Sequence, residues 1–167
     1  ALQLIPPQAE WQIADLGTGS GAIALVLARE RPQCKIVAVD ISAAALSVAA
    51  SNARRLELEN IEFIEGHWLQ PLAGRSFDAI VSNPPYIESD DPHLQQGDLP
   101  HEPRVALASG SDGLDAIREI IGASRRFLRN TGWLLLEHGY KQAIAVRKLL
   151  RENDYRDVFT VCDLAGN

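Results

Sequence analysis

Trp11-Gln12-Ile13-Ala14-Asp15-Leu16-Gly17-Thr18-Gly19-Ser20-Gly21 decides the fold of this chain. A short apolar run carries an acidic residue near its end, glycine follows at three alternate positions, and a helix-like stretch continues to Arg31. Alternate glycines permit a tight turn and let a ligand approach the backbone with no Cβ in the way. The helix that follows points its free N–H groups at whatever the turn holds. The next strand-like run, Lys35 to Asp40, ends in a carboxylate that can accept hydrogen bonds from both hydroxyls of a ribose. A glycine-rich turn alone often serves packing only. Strand, turn, helix, strand and terminal acid together read as a nucleoside-cofactor site. The dinucleotide fingerprint G-x-G-x-x-G places its third glycine one residue later than Gly21, so the spacing here, G-x-G-x-G, departs from it.

Working outward, short runs of β-branched and apolar residues alternate with amphipathic stretches, the pattern of an α/β sheet with crossover helices. Strands are expected at Trp11 to Leu16, Lys35 to Asp40, Ile61 to Glu65, Phe77 to Ser82, Gly132 to Glu137 and Asp157 to Val161. Helices are expected at Gly21 to Arg31, Ala43 to Leu58, Asp115 to Arg129 and Gln142 to Glu152, from apolar residues three and four apart. Pro84 to Ser111 has little periodicity and holds Pro84, Pro85, Pro92, Pro100 and Pro103. A loop this long is usually functional, and it starts at the C-terminal end of a strand, where open α/β sheets bind ligands. Residues 1–10, with Pro6-Pro7, read as a linker, and 11–167 as one catalytic domain.

The 167 residues, 46% of them apolar, suffice to bury a core without disulfides or metal. Cys34 and Cys162 lie far apart in apolar runs and are expected as buried free thiols, and no metal site is expected. Sparse cysteine and the lack of an apolar run of membrane length point to a soluble cytoplasmic protein with no membrane partner. Sixteen basic against 22 acidic side chains give a net charge of -6, which opposes stable attraction to a nucleic-acid backbone. Arg125, Arg126 and Arg129 form a local basic cluster that reads as the solvated face and last turn of a helix. The chain starts at Ala1, has no methionine and stops at Asn167 after a strand-like run, so a fragment of a longer protein is expected; a monomer is the expected state.

The glycine spacing, with Asp15 two places before Gly17, resembles the cofactor loop of S-adenosylmethionine-dependent methyltransferases of the Rossmann-like class. That resemblance implies that Asp15 serves the amino-acid end of the cofactor, a strand-end cap being the ordinary alternative. A second constellation, Asn83-Pro84-Pro85-Tyr86, directly follows the Phe77 to Ser82 run. Two successive prolines offer no N–H and fix both φ angles, so their carbonyls project rigidly. The Asn83 oxygen and the Pro84 carbonyl can each take one hydrogen of a planar NH2 group while Tyr86 packs against its plane. An amide or exocyclic-amine nitrogen is a poor nucleophile because its lone pair is delocalised. Fixing both N–H bonds turns the residual lone pair toward a sulfonium methyl, and such alignment lowers a barrier without a strong base. No catalytic base is assigned. Asn-Pro-Pro is otherwise an ordinary strand-ending turn, a reading that the preceding glycine loop and Asp40 weigh against.

Over nearly its whole length the chain resembles the family that methylates the glutamine of the Gly-Gly-Gln motif in peptide chain release factors. The resemblance rests on Asn83 to Tyr86 and on Gly66-His67-Trp68, Asp91-Pro92-His93-Leu94, Gly97-Asp98-Leu99, Glu102-Pro103, Asp112-Gly113-Leu114 and Leu134-Leu135-Leu136-Glu137-His138-Gly139. It implies a mostly parallel, doubly wound sheet with helices on both faces. It further implies that Gly17, Thr18, Gly19, Ser20, Gly21, Asp40, Trp68 and Asn83 line an S-adenosylmethionine site, and that Asn83, Pro84, Pro85 and Tyr86 hold the substrate glutamine. His67 departs from the pattern, since an acidic residue often precedes the tryptophan, toward the adenine end. Family members also carry a helical N-terminal domain, a Pro-rich segment ahead of the glycine loop, and a last strand after the position of Asn167, antiparallel to the one at Gly132 to Glu137, so these parts are expected to be missing from this chain. His93, His101 and His138 read as loop and strand-end structure. Three alternatives stay open: a glutamine methyltransferase acting on a ribosomal protein, a nucleic-acid amino methyltransferase, and an inactive nucleoside-binding module.

Overall fold

A computed structural model describes residues 1–90 and 107–161. The motifs from Asp91 to Pro103, with His93 and His101, and Cys162 lie outside the described residues. The elements run β1 (Gln12–Leu16), α1 (Ala22–Glu30), β2 (Lys35–Asp40), α2 (Ala43–Arg55), β3 (Ile61–Glu65), a 3-10 turn (Gln70–Leu72), β4 (Phe77–Ser82), α3 (Asp115–Ser124), β5 (Leu128–Leu136) and α4 (Ala143–Glu152). Where one domain was expected, the chain divides into two compact units, Ala1–Asn83 with Ala123–Leu136, and Pro84–Gly122 with Glu137–Asn167.

The first unit contains a five-stranded sheet in the order β3-β2-β1-β4-β5, every pair parallel. Consecutive residues along β1, β2 and β4 are buried, so both faces of the central strands are out of water. Such strands read as continuous apolar runs, as parallel strands covered on both faces do. Ile13, Ile36, Ala38, Ala79 and Val81 share one core cluster with Ala24, Leu27 and Ala28 of α1. The same cluster takes in Ile5 and Ala9 of the opening segment, while Arg31 donates to the carbonyls of Leu2 and Ile5. Residues 1–10, expected as a linker, thus include core residues of this unit. The strand order reverses between β1 and β4, the switch point at which open α/β sheets place ligands.

Two element boundaries correct the sequence reading. The helix expected to reach Arg129 stops at Ser124, and β5 starts at Leu128. Leu128 continues the helical spacing of apolar residues, but β4 claims this backbone: the Phe77 N–H donates to the Phe127 carbonyl at 2.7 Å, and Phe77 pairs with Leu128. Arg129 is therefore on a strand and forms an ion pair with Asp78. The expected strand at Asp157 to Val161 does not form. Asp157 has φ +52°, a left-handed conformation that breaks an extended run, and Phe159 and Val161 are exposed.

In the second unit Ile87 bridges Ala108, with hydrogen bonds from Ile87 N to Leu107 O and from Ser109 N to Ile87 O. The Ser109 hydroxyl accepts from Ala116 N at 2.8 Å in the first turn of α3. Asp112 and Asp115 pair with Arg118, which ties the Asp112-Gly113-Leu114 turn to the helix.

Candidate functional site

The β1 to α1 turn is made by glycines that other residues replace only with strain. Gly17, Gly19 and Gly21 have φ of +68°, +57° and +89°, a region costly for residues with a Cβ. A Cβ on Gly17 would meet the Trp68 ring at 3.0 Å, and one on Gly21 would meet Ala49 at 3.1 Å. On Gly19 it would meet nothing within 4 Å, so this glycine faces open space. The N–H groups of Gly17 and Thr18 donate to the Val39 carbonyl at 2.8 and 3.0 Å, binding the turn to the end of β2. Asn52 on α2 donates to the Ser20 carbonyl at 3.1 Å, a support that no sequence signal announced.

Asp15 is buried in β1. Its Oδ2 accepts from the Thr18 hydroxyl at 2.6 Å and from Ala24 N at 3.1 Å. Its Oδ1 is buried with no hydrogen-bond partner among the described residues. Burial, opposed by those two hydrogen bonds and reinforced by Asp40, raises the Asp15 pKa to about 6. An orphaned, desolvated carboxylate oxygen calls for a cation or a strong donor. Asp40, at the end of β2, is held by two backbone donors, Gly19 N to Oδ2 and Ser42 N to Oδ1, both at 2.8 Å. Each oxygen keeps a lone pair for a further donor such as a hydroxyl.

Trp68 follows β3 with φ +45°, and its ring lies against Gly17 and 5.4 Å from the His67 ring. The first unit therefore gathers Asp15, Gly17 to Gly21, Asp40 and Trp68. Asn83 follows β4 directly, is exposed, and comes one residue after Ser82, whose hydroxyl donates to the Leu16 carbonyl at 2.7 Å. The ends of β1 and β4 are thus laced together where the two motifs begin. An orphaned acid, a glycine turn open at Gly19 and a second acid with spare acceptors fit a ligand carrying a cation and vicinal hydroxyls. Two carboxylates oppose a diphosphate there.

Pro84, Pro85 and Tyr86 open the second unit. The Tyr86 hydroxyl donates to Glu137 Oε1 at 3.3 Å, and burial together with that carboxylate pushes the phenol pKa up, so it stays a donor. The Tyr86 carbonyl accepts from Gln142 at 3.0 Å. Sequence reasoning singled out Glu137 only as part of a motif and did not single out Gln142. Its one signal was its position three residues after Gly139. Among the described residues no group of three or more His, Cys, Asp or Glu side chains is placed to hold a metal ion, and no helix is long and apolar enough to cross a membrane.

A parallel sheet with a glycine turn after β1 and an acid ending β2 defines the Rossmann-like class of α/β domains. The chain belongs to the methyltransferase small domain family, which residues 2–98 match. It is 54% identical over 164 residues to the release factor glutamine methyltransferase of Xylella fastidiosa, covering 98% of this chain and 60% of that protein. To the protein of the same name from Escherichia coli it is 49% identical over 161 residues, covering 96% and 58%. The chain thus spans about three fifths of the length of these relatives. Among solved structures, ribosomal protein L11 methylase from Lactobacillus delbrueckii subsp. bulgaricus matches with a TM-score of 0.68 at 20% identity, covering 96% of this chain and 67% of that one. At that identity the likeness concerns the fold.

Proposed function

We propose that this chain is the catalytic part of an S-adenosylmethionine-dependent methyltransferase that modifies the side-chain amide nitrogen of the glutamine in the Gly-Gly-Gln motif of release factors. The observation that carries the reading is 54% identity, over almost the whole chain, to a protein of that name. S-adenosylmethionine, when bound, supplies a methyl carbon made electrophilic by its sulfonium. Asp15 would hold the ammonium of its amino-acid end, Asp40 would accept from its ribose hydroxyls, and the turn from Gly17 to Gly21 with Trp68 beside Gly17 would line its site. The orphaned Oδ1 of Asp15 supports the first of these roles.

Asn83, Pro84, Pro85 and Tyr86 act on the glutamine. Among the described residues none is hydrogen-bonded to the Asn83 side chain, which leaves its oxygen for one hydrogen of the substrate NH2. The Pro84 carbonyl takes the other hydrogen, and Tyr86 packs against the amide plane. No side chain is needed as a strong base, because the nitrogen sheds its proton readily once it carries the methyl group. The acidic balance of the chain favours a protein substrate over a polyphosphate one. Incubation of the full-length protein with S-adenosylmethionine, release factor and ribosomal protein, followed by peptide mass spectrometry, tests the reading. A methyl group on the Gly-Gly-Gln glutamine is expected; methylation of the ribosomal protein alone would replace the substrate.

A further inference from the structure

We propose that Gln142 is a positioning residue for this reaction, fixing the backbone of the Asn83 to Tyr86 segment so that its carbonyls meet the substrate amide; the inference rests on the functional reading above. Gln142 occupies the N-cap of α4. There Ser, Thr, Asp or Asn ordinarily accepts a hydrogen bond from the first turn of the helix. The Gln142 side chain makes no such bond. Its Nε2 donates instead to the carbonyls of Tyr86 and Asp112, at 3.0 and 3.1 Å, and its Oε1 accepts from Gly139 N at 2.9 Å. The side chain forgoes capping its own helix and joins three separate pieces of chain.

This arrangement needs a group that donates twice and accepts once, which a primary amide does and a carboxylate does not. It also needs Gly113. A Cβ at that position would lie 2.3 Å from the Tyr86 carbonyl oxygen and 2.8 Å from Gln142 Nε2, and its φ is +69°. Gln142 thus ties the motifs Asp112-Gly113-Leu114 and Glu137-His138-Gly139 to the Tyr86 carbonyl. Pro84 and Pro85 have their φ angles locked, so the segment's remaining freedom lies mainly in ψ. Holding the Tyr86 carbonyl restricts that freedom at the segment's far end. Gln142 touches neither the substrate amide nor the methyl donor in this account; it acts through the loop.

The test uses the full-length protein with release factor and S-adenosylmethionine, comparing wild type with Gln142→Glu and Gln142→Met. Gln142→Glu keeps an acceptor for Gly139 N but sets an oxygen against two carbonyls. Its kcat is expected to fall ~10²-fold while KM and the cofactor Kd stay within about threefold. Lowering the pH protonates the new carboxyl and restores one donor, so the ratio of variant to wild-type activity rises as pH falls. Gln142→Met, which has no donor, gives a low ratio that is flat with pH. Should Gln142→Glu not fold, Gln142→Met carries the same comparison of kcat. Wild-type kcat in either folded variant, or a flat ratio in Gln142→Glu, overturns the positioning role and leaves the proposed function standing. A wild-type protein that does not methylate release factor overturns both.

Discussion

Asp15 is the residue at which the site and the stability of the protein pull apart. Its pKa in the folded state, about 6, lies above the ordinary value of 3.8. Between those values the native state holds a proton that the unfolded chain has released. Its contribution to stability is therefore greatest below the unfolded pKa and is lost as pH rises through about 6. The full shift corresponds to on the order of 3 kcal/mol. Asp15→Asn is expected to stabilise the unliganded protein at pH 8, with a gain that shrinks toward pH 4.5, in urea titrations at both pH values. The same substitution should weaken S-adenosylmethionine, whose affinity for wild type should increase as pH rises through the Asp15 titration. A gain equal at both pH values would mean that burial does not govern this carboxyl. With Asp40 proposed to accept from the ribose hydroxyls, Asp40→Ala is expected in calorimetry to lose roughly 1.5–3 kcal/mol of cofactor affinity. An unchanged Kd in a folded variant would reduce Asp40 to its two backbone contacts. At this scale the glycine turn and the position of Asp40 were legible because their signals are local: positive φ needs glycine, and Asp40 closes a short apolar run. Gln142 was not, since glutamine has no positional preference that marks it and its three partners are far apart in sequence.

Among the elements, β4 anchors both the sheet and the Asn-Pro-Pro-Tyr segment that leaves it. Phe77 is buried, pairs with Leu128 of β5 and draws the Phe127 carbonyl to its N–H. Phe77→Ala is expected to cost ~3–5 kcal/mol in urea unfolding, and a loss below ~1 kcal/mol would mean the end of β5 is held by something else. The strands β1, β2 and β4 were readable because central parallel strands are apolar on both faces, and the edge strand β3 because Ile61, Phe63 and Ile64 make a short β-prone run. The boundary between α3 and β5 was not, because Leu128 satisfies a helical spacing and a strand equally and only tertiary pairing decides. The failed strand at Asp157 to Val161 makes the complementary point. Propensity for β structure counts where a partner edge is available, and Phe159 and Val161 stay exposed outside any strand.

For the whole molecule, the parallel sheet with its switch point at β1 and β4 explains why the glycine turn and Asn83 start at neighbouring strand ends. The account's central claim is that the segment starting at Asn83 orients a glutamine amide whose nitrogen is nucleophilic in one orientation only. Asn83 has neither charge nor basicity, so in the proposed function its contribution is positional. The most direct measurement is the rate at which full-length wild type and Asn83→Ala methylate the Gly-Gly-Gln glutamine of a release factor, followed by mass spectrometry, with cofactor binding checked by calorimetry. The account predicts methylation of that glutamine by wild type, a rate ~10²–10³ lower for Asn83→Ala, and cofactor binding retained in both. Methylation by Asn83→Ala at the wild-type rate would contradict it.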